Sequence, residues 1–340
     1  MKKALGILPD EWKPLLKERG MRAFRADQIL QCLYRDFIKS WDEATTLPLS
    51  FREELKVEFP LEIPETAAAD KSDDGTEKLL LRYPDGSLVE TVVIPAQGRL
   101  TQCVSSQVGC PMGCSFCASG VKGLARSLSA DEIVGEVLAG RERGTLTNLV
   151  VMGMGEPFMN YDETMRALKI INAGRGLNLG ARHITISTCG VVPGFARMAA
   201  EGLQFELSVS LHAPNDALRS QLMPVNKRWP LEELLEACRL YTEKTKRIIT
   251  FEYTLIKGVN DSKECARELV SILRRFPCKV NLIPLSPVEH RPDFETPPEE
   301  TLLMFLDVLM KARIQTMLRR SRGKSVSAAC GQLRMRNLPR

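Results

Sequence analysis

No long apolar run stands near the amino terminus of this 340-residue chain. The segment MKKALGILPDEW has only a five-residue apolar run before Pro9 and Asp10, whereas a secretory signal needs about 7–15 apolar residues and a membrane span about 20. We therefore expect a cytoplasmic protein that does not enter a membrane. In that compartment, 10 cysteines indicate metal or thiol chemistry rather than a disulfide scaffold.

The carboxyl-terminal part of the chain lacks acidic side chains. Residues 311–340 contain nine Lys or Arg residues and no Asp or Glu, so this tail carries +9 and the remainder −4 of a total of +5. A cationic end favours a polyanionic partner, and RNA is our first interpretation. A basic terminus that is merely solvated is the alternative.

The chain also lacks the second pair of cysteines or histidines that a structural zinc site usually needs. It has instead one compact group, Cys110-x-x-x-Cys114-x-x-Cys117, with the aromatic Phe116 before the last thiol. Thiolates are the ligands that hold iron–sulfur clusters, and three of them leave one iron of a four-iron cluster open. A cluster is therefore favoured, with a zinc site or three unrelated buried thiols as alternatives.

Most of the other cysteines lie within apolar periodic stretches of sequence. Free cysteine is commonly buried, so we predict that they are small core residues. They are Cys32, Cys189, Cys238, Cys265 and Cys278.

The first 62 residues predict a small helical domain. Apolar residues recur at helical spacing in residues 8–20, 24–41 and 50–59. Residues 63–100 predict a polar connector and then a β-hairpin, because two β-rich runs flank the Asp-Gly turn of PDG. We expect RNA contacts from the helical domain.

From residue 101 to 318 the pattern alternates between strands and helices, which implies a parallel α/β sheet. The first of these helices begins with a capping box, Ser129 with Glu132 three residues later. Periodicity alone is compatible with an incomplete TIM-like barrel or with a doubly wound sheet. Residues 319–340 form a basic segment that carries Cys330.

Polar residues follow several of the predicted strands. The carboxyl ends of parallel strands meet at one edge, where ligands bind. We predict that the following residues form a binding site there: Gly155, Glu156, Ser187, Ser210, Leu211 and His212.

The cysteine loop resembles that of the radical S-adenosylmethionine (SAM) superfamily. Further strings narrow the resemblance to the RlmN/Cfr family of rRNA adenine methyltransferases, and to its RlmN branch: VETVVIP, CVSSQVGCPMGCSFCASG, GMGEP, ISTCGVVPG, SLHAPND, LMPVN, VNLIP and AACGQL. The resemblance implies a partial TIM-like (β/α)6 barrel. It also implies one [4Fe-4S] cluster on the three loop cysteines and SAM at the strand ends.

The family resemblance also implies a mechanism with two SAM molecules per turnover. One SAM methylates Cys330, and a second, split at the cluster, provides a deoxyadenosyl radical that removes hydrogen from the S-methyl group. The methylene radical then adds to the base, Glu90 accepts the ring proton, and Cys103 forms a disulfide with Cys330 that releases the product. A flavodoxin-type donor supplies electrons.

The implied substrate is carbon 2 of an adenosine in 23S rRNA, and also in tRNA, acted on by a monomer. The resemblance also places Ser286, after the strand VNLIP, at the SAM site, but Ser286 stands where the family usually has Asn. Ser325, Val326 and Ser327 stand where acidic residues are usual, and these two departures leave the target open. The first alternative is a paralogue that methylates carbon 8 or another RNA adenosine. An alternative of another class, which does not depend on these departures, is a non-enzymatic RNA-binding protein stabilised by a metal or a cluster.

Overall fold

The computed structural model describes residues 2–320 together with Gly323 and Gln332. Three α-helices begin the chain and pack around the buried indoles of Trp12 and Trp41. They are α1 (Trp12–Glu18), α2 (Arg25–Gln31) and α3 (Leu49–Glu58).

The second predicted helix, residues 24–41, is shorter than its apolar periodicity suggests. Helix α2 ends at Gln31 and continues as a π-helical segment, Cys32–Asp36. Phe37 then adopts a left-handed conformation with φ 55°. The guanidinium of Arg141 lies 4.0 Å from the Phe37 ring centroid. This tertiary contact and the left-handed residue stop the helix, and neither is visible in a periodic pattern.

The centre of the molecule is one ten-stranded sheet with the order β1-β2-β3-β4-β7-β8-β9-β10-β11-β12. A separate antiparallel pair, β5 and β6, flanks the cysteine loop. The strands are β1 (Glu65–Lys71), β2 (Glu77–Arg82), β3 (Leu88–Ala96), β4 (Arg99–Val104), β5 (Gln107–Gly109), β6 (Leu124–Ser127), β7 (Asn148–Val151), β8 (Ile184–Thr188), β9 (Glu206–Ser210), β10 (Ile249–Leu255), β11 (Cys278–Pro284) and β12 (Gln315–Leu318).

All neighbouring pairs from β4 to β12 in the large sheet are parallel, and helices connect them. The connecting helices are α4 (Ala130–Arg141), α5 (Tyr161–Asn172), α6 (Pro193–Ala200), α7 (Asp216–Leu222), α8 (Leu231–Thr245), α9 (Lys263–Leu273) and α10 (Glu299–Lys311). Six strand–helix units followed by a further parallel strand confirm the partial barrel. The capping box is also present, since the Ser129 amide donates to Glu132 Oε2 at 2.9 Å.

The antiparallel strands β1, β2 and β3 extend the barrel sheet on its β4 side. The Asp-Gly turn of PDG joins β2 to β3 with Arg82 opposite Leu88. The hairpin therefore continues the barrel sheet. The division of the chain into the segments 1–62, 63–100, 101–318 and 319–340 stays a prediction. Among the described residues, none of the helices has the length and apolarity needed to cross a bilayer.

Candidate active site

The cysteine loop is closed at its neck by the short strands β5 and β6. Gly109 ends β5 with φ +81°, and a Cβ there would meet the carbonyl oxygen of Gly123 at 2.0 Å, so only glycine fits. On the far side, the amide of Ser115 donates to the carbonyl of Leu222 at 2.9 Å. The loop is therefore held between a strand pair and the end of α7.

The three loop thiols face a cavity at the carboxyl ends of the barrel strands. Burial raises the pKa of Cys110 to about 12, and burial also raises the pKa values of Cys114 and Cys117. Thiols in such surroundings ionise when a soft metal binds them and compensates the charge. The apolar side chains of Met112 and Phe116 line the same cavity, so the donor set fits an iron–sulfur cluster.

A single-ion zinc site is less well supported by the geometry. Within the part of the chain that the structure describes, no three His, Cys, Asp or Glu side chains lie close enough to share one ion. The thiolates of a multi-iron cluster bind different irons and need not converge on one point.

Most residues predicted at the strand ends line the cavity together with the thiols. They are Gly155, Glu156, Ser187, Ser210, His212 and Ser286. Leu211 does not join them: it is fully buried, and its carbonyl accepts from the Arg219 guanidinium at 3.2 Å. Its backbone ties the end of β9 to the middle of β10, because its amide donates to the carbonyl of Glu252.

Gly155 and Glu156 turn the chain sharply after β7. Gly155 has φ +101°, and a Cβ there would lie 2.6 Å from the Gln107 side chain. The Glu156 carboxylate accepts hydrogen bonds from Thr188 Oγ1 at 2.7 Å and from the Cys189 amide at 2.7 Å. The buried carboxylate therefore ties the end of β8 to this turn, and the backbone of the turn borders the cavity.

His212 connects the barrel to the cysteine loop. Its Nδ1 accepts from the Thr254 amide at 2.8 Å, and its ring meets the Phe116 ring edge-on with centroids 4.7 Å apart. Burial, and secondarily the charge of Arg219, lower the pKa of His212 to about 3. The imidazole is thus neutral at physiological pH, with its proton on Nε2.

We predict that His212 makes the fold acid-sensitive. The unfolded chain protonates this imidazole near pH 6.5 and the folded chain only near pH 3, so stability falls as the pH drops from about 6.5 towards 3. Over this range the unfolded state binds one more proton than the folded state, so the free energy of unfolding falls by about 1.4 kcal/mol for each pH unit. Urea unfolding between pH 4 and 7 should show this slope in wild type and in the exposed control His183→Asn, but not in His212→Asn. An unchanged slope in His212→Asn would contradict the assignment.

Glu90 and Cys103 lie on the same face of the sheet as the cavity but do not line it. Val92, two residues after Glu90, pairs with Cys103. Cys103 is paired with a residue of β7. That residue is itself paired with the residue of β8 that lies two positions before Ser187. Paired residues share a face of the sheet, and so do residues two apart in one strand. The side chains of Glu90, Cys103 and Ser187 therefore all point into the barrel. Cys330 lies outside the described residues, as do Ser325, Val326 and Ser327.

The sequence analysis missed Lys78, which forms a buried ion pair with Glu90. Lys78 Nζ lies 3.1 Å from Glu90 Oε1, with side-chain exposures of 8% and 4%. A lysine within the apolar run of β2 carries no signal of this pairing in the sequence. The pair holds the Glu90 carboxylate at the inner face of the sheet.

Replacing Lys78 should destabilise the fold strongly. Lys78→Met removes the cation 3.1 Å from the buried Glu90 carboxylate, and losing one partner of a buried ion pair costs about 3 kcal/mol in unfolding free energy. Lys71→Met, an exposed change at the end of the neighbouring strand β1, should cost less than about 1 kcal/mol. Guanidinium unfolding of both variants tests this difference. Equal stability of the two variants would show that the pair does not bear on folding.

Arg219 is a second residue that the sequence did not reveal. It is fully buried, and its guanidinium donates to the carbonyls of Cys189 at 2.8 Å and Ser210 at 3.1 Å. Its charge also lowers the pKa of Cys114 against the larger raising effect of burial. This buried cation, bonded to neutral oxygens, places positive charge beneath the thiol loop.

The nine described cysteines are all free thiols, so no disulfide joins any two of them. Cys32, Cys189 and Cys238 are buried as predicted, whereas Cys265 and Cys278 are only partly buried. Cys189 also lines the cavity. The apolar residues around Cys189 in the sequence did not indicate that it lines the cavity. The chain turns directly after β8, and this turn brings Cys189 to the cavity.

The chain resembles known proteins along nearly its whole length. The Radical SAM superfamily model matches residues 104–269. The dual-specificity RNA methyltransferase RlmN of Oleidesulfovibrio alaskensis is 46% identical, covering 94% of this chain and 92% of the relative. The RlmN of Sorangium cellulosum is 43% identical, with 96% and 94% covered.

A crystal structure of a radical SAM methyltransferase from Sphaerobacter thermophilus superimposes with a TM-score of 0.95 at 46% identity, covering 98% of this chain and 99% of that one. The likeness extends over the helical domain, the hairpin and the barrel. The chain therefore belongs to the RlmN family of radical SAM RNA methyltransferases.

Proposed function

We propose that this enzyme methylates carbon 2 of an adenosine in 23S rRNA, and also in tRNA, through an S-methylcysteine at Cys330. The observation that carries the proposal is the position of the loop thiols in one cavity, with Glu90 and Cys103 on the same inner face. The candidate groups for SAM cleavage thus line the cavity, and two candidate groups for methyl transfer lie on the inner face of the same sheet.

Cys110, Cys114 and Cys117 would hold the cluster, and Ser187, Ser210, His212 and Ser286 would border SAM. Bound there, a [4Fe-4S] cluster supplies the electron that cleaves SAM. The barrel residues orient the bound nucleoside and exclude water from the reaction. Two SAM molecules are consumed per turnover, one of them to methylate Cys330.

The need for a cysteine carrier follows from the chemistry of the base. Carbon 2 of adenine is an electron-poor amidine carbon and does not attack a sulfonium methyl group. A thiolate does, so Cys330 can accept the methyl group first, within a segment whose cations favour the thiolate. In the proposed scheme Glu90 accepts the ring proton, and Cys103 attacks the Cys330 sulfur and releases the product as a disulfide forms.

A paralogue with a different target is the second candidate. Ser286 is buried in the cavity lining, and it carries a hydroxyl where the family usually has an amide. Methylation at carbon 8, or of another RNA adenosine, is the outcome that this departure favours.

Mass spectrometry of RNA tests the proposed target. Nucleosides from 23S rRNA and tRNA should be compared between cells with and without the gene. We expect loss of 2-methyladenosine when the gene is absent. Loss of 8-methyladenosine would select the second candidate, and an unchanged methyladenosine profile would contradict both.

The proposed enzyme also depends on an electron donor and on an accessible RNA base. The Cys103–Cys330 disulfide needs two electrons for each turnover, which a flavodoxin-type donor supplies. We propose a cytoplasmic monomer that takes its adenosine from unpaired RNA, because a base must be unstacked to enter the barrel.

A further inference from the structure

Glu252, in the middle of β10, is a buried carboxylate that the proposed mechanism does not use. It is 5% exposed and lines the same cavity as the loop thiols. Its Oε1 accepts from Asn281 Nδ2 at 2.9 Å and from Ser208 Oγ at 3.2 Å. Its Oε2 is buried and has no hydrogen-bond partner among the described residues.

Strand register places this carboxylate beside the predicted SAM residues. Glu252 pairs with Ser210 on one side and with Asn281 on the other. Residues paired in this way point to the same face. Since Ser210 borders the cavity, Glu252 points into it at the same level of the barrel.

The surroundings of Glu252 consist of hydrogen-bond donors. Ser208 and Asn281 donate to it, and Arg319 lines the same cavity. Burial raises the pKa of Glu252, whereas the charge of Arg319 and the two hydrogen bonds lower it. Arg319 forms no ion pair with Glu252 in the part of the chain that the structure describes. No donor among the described residues reaches Oε2, and a molecule bound in the cavity that Glu252 lines can supply one.

An unsatisfied buried carboxylate oxygen is costly, and such atoms in native proteins normally have a partner in the protein, in ordered water or in a bound ion or ligand. The adenosyl half of SAM carries O–H donors on its ribose and N–H donors on its purine. We propose that Glu252 Oε2 accepts a hydrogen bond from one of these donors and so positions the nucleoside of SAM. This inference rests on the proposed function, because it requires SAM in this cavity.

Binding of SAM without reductant tests the inference, since no cleavage occurs. Equilibrium dialysis should compare reconstituted wild type with Glu252→Gln, in which an N–H donor replaces the accepting oxygen. We expect SAM to bind Glu252→Gln at least about tenfold more weakly. The control Glu206→Gln, at the opposite end of neighbouring β9 and paired with Arg247, should bind SAM as wild type does.

Three SAM analogues identify the donor: 2′-deoxy, 3′-deoxy and 6-desamino. One of them should bind wild type about tenfold more weakly than SAM but show no further loss in Glu252→Gln. Equal SAM binding by Glu252→Gln and wild type would overturn the inference. A weaker variant with no analogue coupled to it, or a loss confined to RNA binding, would also overturn it.

The same experiment separates this inference from the function on which it depends. If wild type binds SAM and Glu252→Gln binds it equally, only the role of Glu252 fails. If wild type itself does not bind SAM, the proposed function fails and the inference falls with it. Iron content and thermal unfolding of each variant show whether the variant has retained its cluster and fold.

Discussion

Cys114→Ala should abolish SAM cleavage by this enzyme. Cys114 is one of three thiols in a loop held by the β5–β6 pair and by the end of α7, and two thiols cannot retain the cluster. The rate of 5′-deoxyadenosine release under dithionite should fall about ten-thousandfold or more, as activity does when one member of a catalytic unit is lost. Iron and acid-labile sulfide should fall with it.

The matched control is Cys265→Ala, which removes a partly buried thiol on α9. This variant should retain iron and SAM cleavage at wild-type levels. If Cys114→Ala kept its iron and its cleavage rate, another ligand set would have to hold the cluster, and the assignment of the loop would be wrong.

Cys330→Ala should separate SAM cleavage from methyl transfer. Without the carrier thiol no S-methyl group can form, so RNA methylation should fall on the order of a thousandfold or more. The cavity and its three loop thiols are untouched, so 5′-deoxyadenosine release should persist. Liquid chromatography with mass spectrometry of both products measures the two activities in one reaction.

Cys103→Ala provides the contrasting variant. It leaves the proposed carrier Cys330 in place but removes the thiol that is proposed to release the product, so a covalent protein–RNA adduct should accumulate and be visible on a denaturing gel. Normal methylation by Cys330→Ala, or no adduct with Cys103→Ala, would refute the two-cysteine scheme.

Much of the architecture was predictable because it depends on local patterns. The alternation of strands and helices gives the parallel sheet, and Ser129 with Glu132 marks the start of α4. The choice of a barrel over a doubly wound sheet needed the family resemblance. The end of α2 was missed because it depends on Phe37, whose ring contacts Arg141 from a distant part of the chain.

Site residues that belong to a chemical motif were predictable from the sequence. Site residues whose role depends on burial were not. The cysteine spacing and the residues after the strands located the cavity. Arg219, Lys78 and Glu252 were missed, because a charged residue in an amphipathic or apolar stretch looks like any solvated residue until its partners are known. Leu211 shows the converse: it stands within the motif, yet its side chain lies in the core.

The isotopic composition of the product tests the methyl-transfer scheme most directly. The purified enzyme should be incubated with unmodified 23S rRNA, a reductant and SAM that carries a trideuterated methyl group. If the methyl group passes through Cys330 and loses one hydrogen before it joins the base, the methyladenosine will contain two deuterium atoms and 5′-deoxyadenosine will contain one. A product that retains all three deuterium atoms would contradict this account.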